Sequence, residues 1–188
     1  GPEVYVQRRV ASMAFAPSTV VFPGGGVDPT DHTLDVATAG LAELALAMGV
    51  GVAAAVPFAA AAVREVEEEC GVVITVADLR GRAHWVTPEF EPRRYDTWIL
   101  AAGMPAGQEA TGTTTESDHS AWVRPDELLA RHTAGEVRML PPTVISLEQL
   151  ADFSDAGSFL ADRPRVARVV PELVLGADGI PVLRTVLP

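Results

Sequence analysis

Glu65, Glu68 and Glu69 lie in the segment Ala62-Val63-Arg64-Glu65-Val66-Glu67-Glu68-Glu69-Cys70-Gly71-Val72. At about 100° per residue, spacings of three and four put these carboxylates on one arc of a helix, roughly 100° wide, where they can converge. Ala59, Ala62, Val63, Val66 and Cys70 form a separate apolar stripe, and Glu67 points toward the Arg64 side. Locally the arrangement is unfavourable: each like-charged pair costs about 0.2–0.5 kcal/mol. Acids in the last turn also oppose the helix dipole by roughly 0.3–1 kcal/mol each. One outcome is a merely solvated acidic face. The other is chemistry: a divalent cation turns the repulsion into coordination, and hard oxygens on one rigid face suit Mg²⁺ or Mn²⁺.

A second segment bears on that choice. Phe22-Pro23-Gly24-Gly25-Gly26-Val27-Asp28-Pro29-Thr30-Asp31 places three glycines after an apolar strand, where backbone can approach a ligand closely. Alone, it also reads as an ordinary turn.

Together the two segments resemble the nudix box, G-x5-E-x7-R-E-U-x-E-E-x-G-U, in which U is a bulky apolar residue. Arg64, Glu65, Val66, Glu68, Glu69, Gly71 and Val72 match every position of its second half. Gly25 matches the first half, with Asp31 where the pattern has glutamate. Between Asp31 and Arg64 lie 32 residues, where the pattern has seven. A subgroup of the family, the peroxisomal coenzyme A diphosphatase type and its bacterial relatives, is interrupted by a helical insert at this place. His84-Trp85-Val86-Thr87-Pro88, Arg93-Arg94-Tyr95-Asp96-Thr97 and Met139-Leu140-Pro141-Pro142-Thr143 resemble that subgroup too. The likeness spans roughly residues 4–150.

The resemblance implies an α+β nudix fold, a mixed β-sheet sandwiched between helices, with a helical insertion inside the box at about 32–58. It implies a single domain over 1–188 with a C-terminal extension at about 150–188, to which no role is assigned. By motif position, Glu65, Glu68 and Glu69 would bind Mg²⁺ or Mn²⁺, with the Gly24 carbonyl as a further ligand. Arg64 would orient a carboxylate of the cluster. The general base is left between Glu65 and a loop acid, Glu116, which lies six residues before Trp122. Gly25, Arg93, Arg94 and His84 are candidates for substrate contact, since arginine matches phosphate geometry. Against this, His84 can simply be packed, and Asp96 can hold one of the arginines in a salt bridge. Asp31 is expected to be structural, capping the helix of the insert. Nothing marks Cys70 as a nucleophile.

The activity implied is metal-dependent hydrolysis of a phosphoanhydride bond in a nucleoside diphosphate linked to another moiety. Coenzyme A or an acyl derivative is the leading substrate; ADP-ribose, NADH or a nucleoside triphosphate is the runner-up. From a different class comes a non-catalytic ligand sensor, which typically lacks the box glutamates present here.

Several elements must position these groups. Glu3–Arg9 and Thr19–Phe22 read as strands, followed by helices over Leu34–Met48 and Ala59–Cys70, with Pro57 near the start of the second and Gly71 just past its end. Val72–Val76, Arg82–Thr87, Tyr95–Ala102 and Ser120–Val123 read as strands, with Met104–Ser117 a loop. Further helices are expected over Pro125–Arg131 and Ser146–Phe153, and a hairpin around Gly176-Ala177-Asp178-Gly179. A nudix sheet usually has a strand ahead of EVYVQRR. The opening Gly1-Pro2 lacks methionine and reads as clipped, so that strand is expected upstream of it.

Composition narrows the partners. The 188 residues carry a formal net charge of −11, and all 14 basic residues are arginine, a pattern attributable to coding bias. Such acidity argues against nucleic acid as partner, including a role in RNA decapping. No run of 18 apolar residues lacks a charge or breaker, so no membrane span is expected. A single cysteine precludes an intramolecular disulfide and suits a reducing, cytoplasmic setting. The alanine-rich insert is left between two roles, a homodimer interface and a lid.

Overall fold

The computed structural model describes residues 1–12, 16–35, 37–112, 114–176 and 180–186. Strand β1 (Val4–Arg9) lies between β2 (Val20–Val21) and β5 (Ser117–Val123), antiparallel to both. A second sheet has β3 (Arg80–Val86) at its centre, antiparallel to β4 (Asp96–Ala101) and parallel to the short β6 (Arg168–Val169). The tail ends in an antiparallel hairpin, β7 (Glu172–Leu175) with β8 (Pro181–Arg184).

Two helical layers cover the sheets. Helices α1 (Leu41–Met48) and α2 (Val52–Cys70) meet at 105°. They bury Leu41, Leu44, Ala45 and Met48 against Ala55, Val56 and Ala59. Ala55 and Ala59 are fully enclosed, so small side chains let the helices approach closely. Trp98 and Leu100 of β4 pack onto this cluster. On the other face of the same sheet, Ala83 and Trp85 meet Ile145 of α4 (Pro141–Ala151). Helices α4 and α3 (Pro125–Thr133) also close the first sheet, through Leu128 and Leu147 against Val6 and Val20. A last short helix, α5 (Ala156–Ala161), leads to β6. The mixed sheet between helices matches the architecture expected from the sequence.

Several expected boundaries are corrected. The helix foreseen from Leu34 starts at Leu41, because Pro29–Thr33 form a 3₁₀ turn capped by Asp28. Gly40 then takes φ +82°, and a Cβ on it would lie 2.4 Å from the Ala77 Cα. Conversely α2 begins at Val52, well before Ala59, with Pro57 inside it. That proline withholds one helical N–H, ordinarily costing about 3 kcal/mol, yet is itself buried with the surrounding core. Helix α4 opens at Pro141 rather than Ser146, since proline is favoured in the first turn, where the N–H has no helical partner.

Val72–Val76 is not a strand, although Val72, Ile74 and Val76 are buried in alternation. Its backbone pairs with a side chain instead: Val73 N donates to Gln108 Oε1 at 2.7 Å, and Gln108 Nε2 donates to the Val73 carbonyl at 2.9 Å. Period-2 burial therefore arose from packing on α2, without a neighbouring strand. The foreseen C-terminal hairpin is present, although Ala177-Asp178-Gly179 lie outside the described residues. No single helix among the described residues is long and apolar enough to cross a membrane.

Candidate active site

The last two turns of α2 bring Arg64, Glu65, Glu68 and Glu69 against the glycine loop that follows β2. Gly71, with φ +68°, ends the helix immediately afterwards, as its missing Cβ permits. Gly24 N donates to Glu69 Oε2 at 2.8 Å. It is thus the amide of Gly24 that faces the acids here, whereas the carbonyl was the expected contributor. Gly25 is held to glycine by contact: a Cβ there would lie 2.3 Å from Glu65 Oε1. Side-chain volume at position 25 and the observed Glu65 position exclude one another.

Arg64 organises the cluster. Its Nε and Nη2 donate to the two carboxylate oxygens of Asp31, at 3.1 and 2.9 Å. Nη1 donates to Glu65 Oε1 at 2.8 Å and to Glu68 Oε2 at 3.1 Å, and Nη2 also reaches the Gly26 carbonyl at 3.0 Å. The planar fork thus ties together the loop, the turn before the insert and the acidic helix. Asp31 is buried, and the hydrogen bond from Arg64 holds its carboxyl below the usual range. Asp31 also accepts from the Asp28 amide at 2.7 Å. Its structural role is as expected, but it completes the capping box of the 3₁₀ turn from within and anchors Arg64; it does not cap α1.

Glu69 is the carboxyl most perturbed by its surroundings. Burial comes first among the causes that push its pKa up to about 7, opposed by the Gly24 N–H, with the charges of Glu65 and Glu116 adding to the rise. Glu116, 47 positions along the chain from Glu69, therefore shares its electrostatic neighbourhood. The Glu116 carbonyl accepts from Val10 N at 2.9 Å, which fixes the loop beside the end of β1. Glu68 is the outermost acid, with its side chain 58% exposed.

The other candidates engage different partners. His84 is packed: its ring stacks on Trp98 at 3.8 Å, and Nε2 lies 2.7 Å from Asp96 Oδ1. Asp96 is thereby used on His84, and the foreseen salt bridge to Arg93 or Arg94 is not formed. Arg94 donates to the Thr87 carbonyl at 3.1 Å, and Arg93 is exposed. Cys70 is buried beside Gln7, and burial pushes its thiol up to about 11, far from a reactive thiolate. Among the described residues, no three His, Cys, Asp or Glu side chains already stand in a metal-holding arrangement. Arg9 was not singled out from sequence, although its charge also reaches Glu69. The only signal was its place at the end of a strand that alternates toward α2.

Residues 51–142 match the family model of the NUDIX domain.

Over that stretch the chain is similar to the NUDIX domain.

The matched stretch starts at the cap of α2 and so includes Arg64 to Glu69, whereas the glycine loop lies ahead of the insert and outside it. A putative nudix hydrolase 7 from Caenorhabditis elegans is 26% identical over 187 residues, covering 81% of this chain. The chain spans 57% of that relative's length. The crystal structure of a NUDIX hydrolase from Alicyclobacillus acidocaldarius superposes with a TM-score of 0.69 at 23% identity. That match covers 87% of this chain and 89% of the other. The nudix fold is thus shared over most of the chain.

Proposed function

We propose that this nudix chain is a pyrophosphohydrolase that cuts a phosphoanhydride bond in a nucleoside diphosphate linked to another moiety, with coenzyme A or an acyl-coenzyme A as the leading substrate. The observation that carries the reading is that Glu65 and Glu69 are held against the glycine loop, with Arg64 gripping the first.

The proposed ligands are hard carboxylate oxygens of the kind a divalent ion prefers, although among the described residues no three of them already stand in a metal-holding arrangement. Burial and the like charges of Glu65 and Glu116 outweigh the nearby charge of Arg9 at Glu69, and Mg²⁺ or Mn²⁺ held by Glu65, Glu68 and Glu69 would supply the compensating charge. The Gly24 carbonyl is the proposed additional ligand. Once bound, such an ion neutralises phosphate oxygens and acidifies a water for attack on phosphorus. The protein's own contribution is positioning and proton transfer. Arg64 keeps Glu65 and Glu68 in register, so the acids do not splay apart on the helix surface. Gly25 lets backbone pass directly over Glu65, whose carboxylate a side chain there would displace. A carboxylate, Glu65 or Glu116, takes the proton released as the P–O bond forms.

The test is turnover of coenzyme A, acetyl-coenzyme A, ADP-ribose, NADH and dNTPs with Mg²⁺ or Mn²⁺, read by mass spectrometry. Glu68→Gln and Glu69→Gln serve as controls. Appearance of 3′,5′-ADP and a phosphopantetheine, lost with chelator and in both variants, is the expected result. Tight binding of a panel member with no product would replace hydrolysis by ligand sensing.

A further inference from the structure

Arg9 stands where three parts of the site converge. Its N–H donates to the Thr19 carbonyl at 3.0 Å and its carbonyl accepts from Ser18 N at 3.1 Å, on the segment entering β2 and the glycine loop. On the other side it pairs in register with Ser117, the residue after Glu116. Two residues back along β1, Gln7 Nε2 contacts Cys70 Sγ, so this edge of the strand faces the end of α2. The positive charge of Arg9 also reaches the Glu69 carboxyl, where it opposes in small part the rise caused by burial.

Among the described residues, no hydrogen bond or ion pair commits the Arg9 guanidinium. Its Nε is buried and has no hydrogen-bond partner. Arg64, the other cation of the cluster, is occupied by Asp31, Glu65, Glu68 and Gly26. Arg80 and Arg82 also have an unpartnered Nε, but their terminal nitrogens bond to the Ala77 and Leu79 carbonyls and to Asp162. A guanidinium partly withdrawn from water, with an open fork beside an acidic cluster, is set for an incoming anion.

We propose that Arg9 is a substrate-binding residue, donating in a fork to non-bridging phosphate oxygens of the nucleoside diphosphate moiety; the choice of ligand rests on the functional reading above. Arg8, its neighbour, is the natural control. It is half exposed and already paired with Asp118 at 2.7 Å.

The experiment is calorimetric titration of the whole chain with ADP and Mg²⁺ at two salt concentrations. Loss of a charge-assisted hydrogen bond in Arg9→Gln should weaken ADP by about 10–100-fold. It should also flatten the salt dependence, while Arg8→Gln binds like the wild type. Should Arg9→Gln fail to fold, Arg9→Lys keeps the charge and loses the fork. It should raise KM for the cleaved diphosphate with kcat nearly kept, a split that a purely structural role would not give. Wild-type ADP affinity in a folded Arg9→Gln protein, equal weakening in Arg8→Gln, or no ADP binding by the wild type overturns the assignment. If ADP binding depends on Arg9 but no diphosphate is cleaved, the hydrolase reading fails and the phosphate contact stands. If cleavage occurs with Arg9→Gln behaving as wild type, the reverse holds.

Discussion

Asp31 and Arg64 are joined by two hydrogen bonds, 3.1 and 2.9 Å long, across a sequence separation of 33. This pair rejoins the two halves of a motif that the helical insert pulls apart. The chain leaves the glycine loop, makes the capped 3₁₀ turn, passes through α1, and returns along α2 to set Arg64 beside the residue it left. Asp31 is 4% exposed, so the carboxylate meets little but the guanidinium and the turn whose capping box it completes.

Removing one partner of a buried pair leaves the other uncompensated. Asp31→Ala should destabilise the protein by about 3 kcal/mol, read as a shift in the urea midpoint. Arg64 is 26% exposed in its side chain and can turn to water, so Arg64→Ala with Asp31→Ala should cost less than the sum of the single changes. Additive costs in the double-mutant cycle would show that the pair is not coupled.

The same pair gives a pH dependence of definite sign. The folded-state pKa of Asp31 lies below its ordinary 3.8, chiefly through the hydrogen bond from Arg64. The stability it contributes is present in full above the unfolded value and disappears as pH falls through the lowered folded one. The gap between wild type and Asp31→Asn should therefore be full and constant above about pH 4 and shrink as pH falls further below it. A gap that stays constant across the acid range contradicts the assignment.

Gly25→Ala should abolish most activity while the protein remains folded. The new methyl group would stand 2.3 Å from Glu65 Oε1, so the carboxylate or the loop must shift. A displacement of about 1 Å in a positioning group can cost on the order of 100-fold in rate. Gly26→Ala, where a Cβ meets nothing within 4 Å, should retain activity. Equal losses at both positions would mean that the loop needs flexibility rather than room over Glu65.

Gln108→Ala removes both hydrogen bonds that stand in for a strand partner of Val73. The expected cost is about 1–3 kcal/mol, and the Val73 amide should exchange with deuterium faster than neighbouring core amides. Gln108→Glu keeps an acceptor for the Val73 N–H but not the donor, and should fall between. Unchanged exchange at Val73 would show that packing of Val72 and Ile74 alone holds the segment.

Much of the site was legible because its information is local. The spacing of Glu65, Glu68 and Glu69 dictates a shared arc on any helix, and Gly71 after Cys70 dictates where that helix stops. Strands β1, β3, β4 and β5 and the tail hairpin followed from alternation and turn residues, for the same reason. Partners that come from distant parts of the chain could not be read this way. That Gln108 would serve as a strand for Val73, that Asp96 would take His84 and leave the arginines, and that Arg9 would lie beside Glu69 with an open guanidinium depends on how two sheets and α2 are packed. The insert shows the division most clearly. Its helical content was evident from alanine, leucine and the lack of β-branched runs, but α1 starts only at Leu41, because Gly40 must fit against Ala77. Propensity belongs to the residue and its neighbours, so the sequence by itself determined the acidic helix and the glycine loop and suggested the class of chemistry proposed here. Contact between groups 33 or 45 positions apart depends on burial summed over the whole core, so only the tertiary structure decided that Arg64 would close on Asp31 and Glu69 on Gly24.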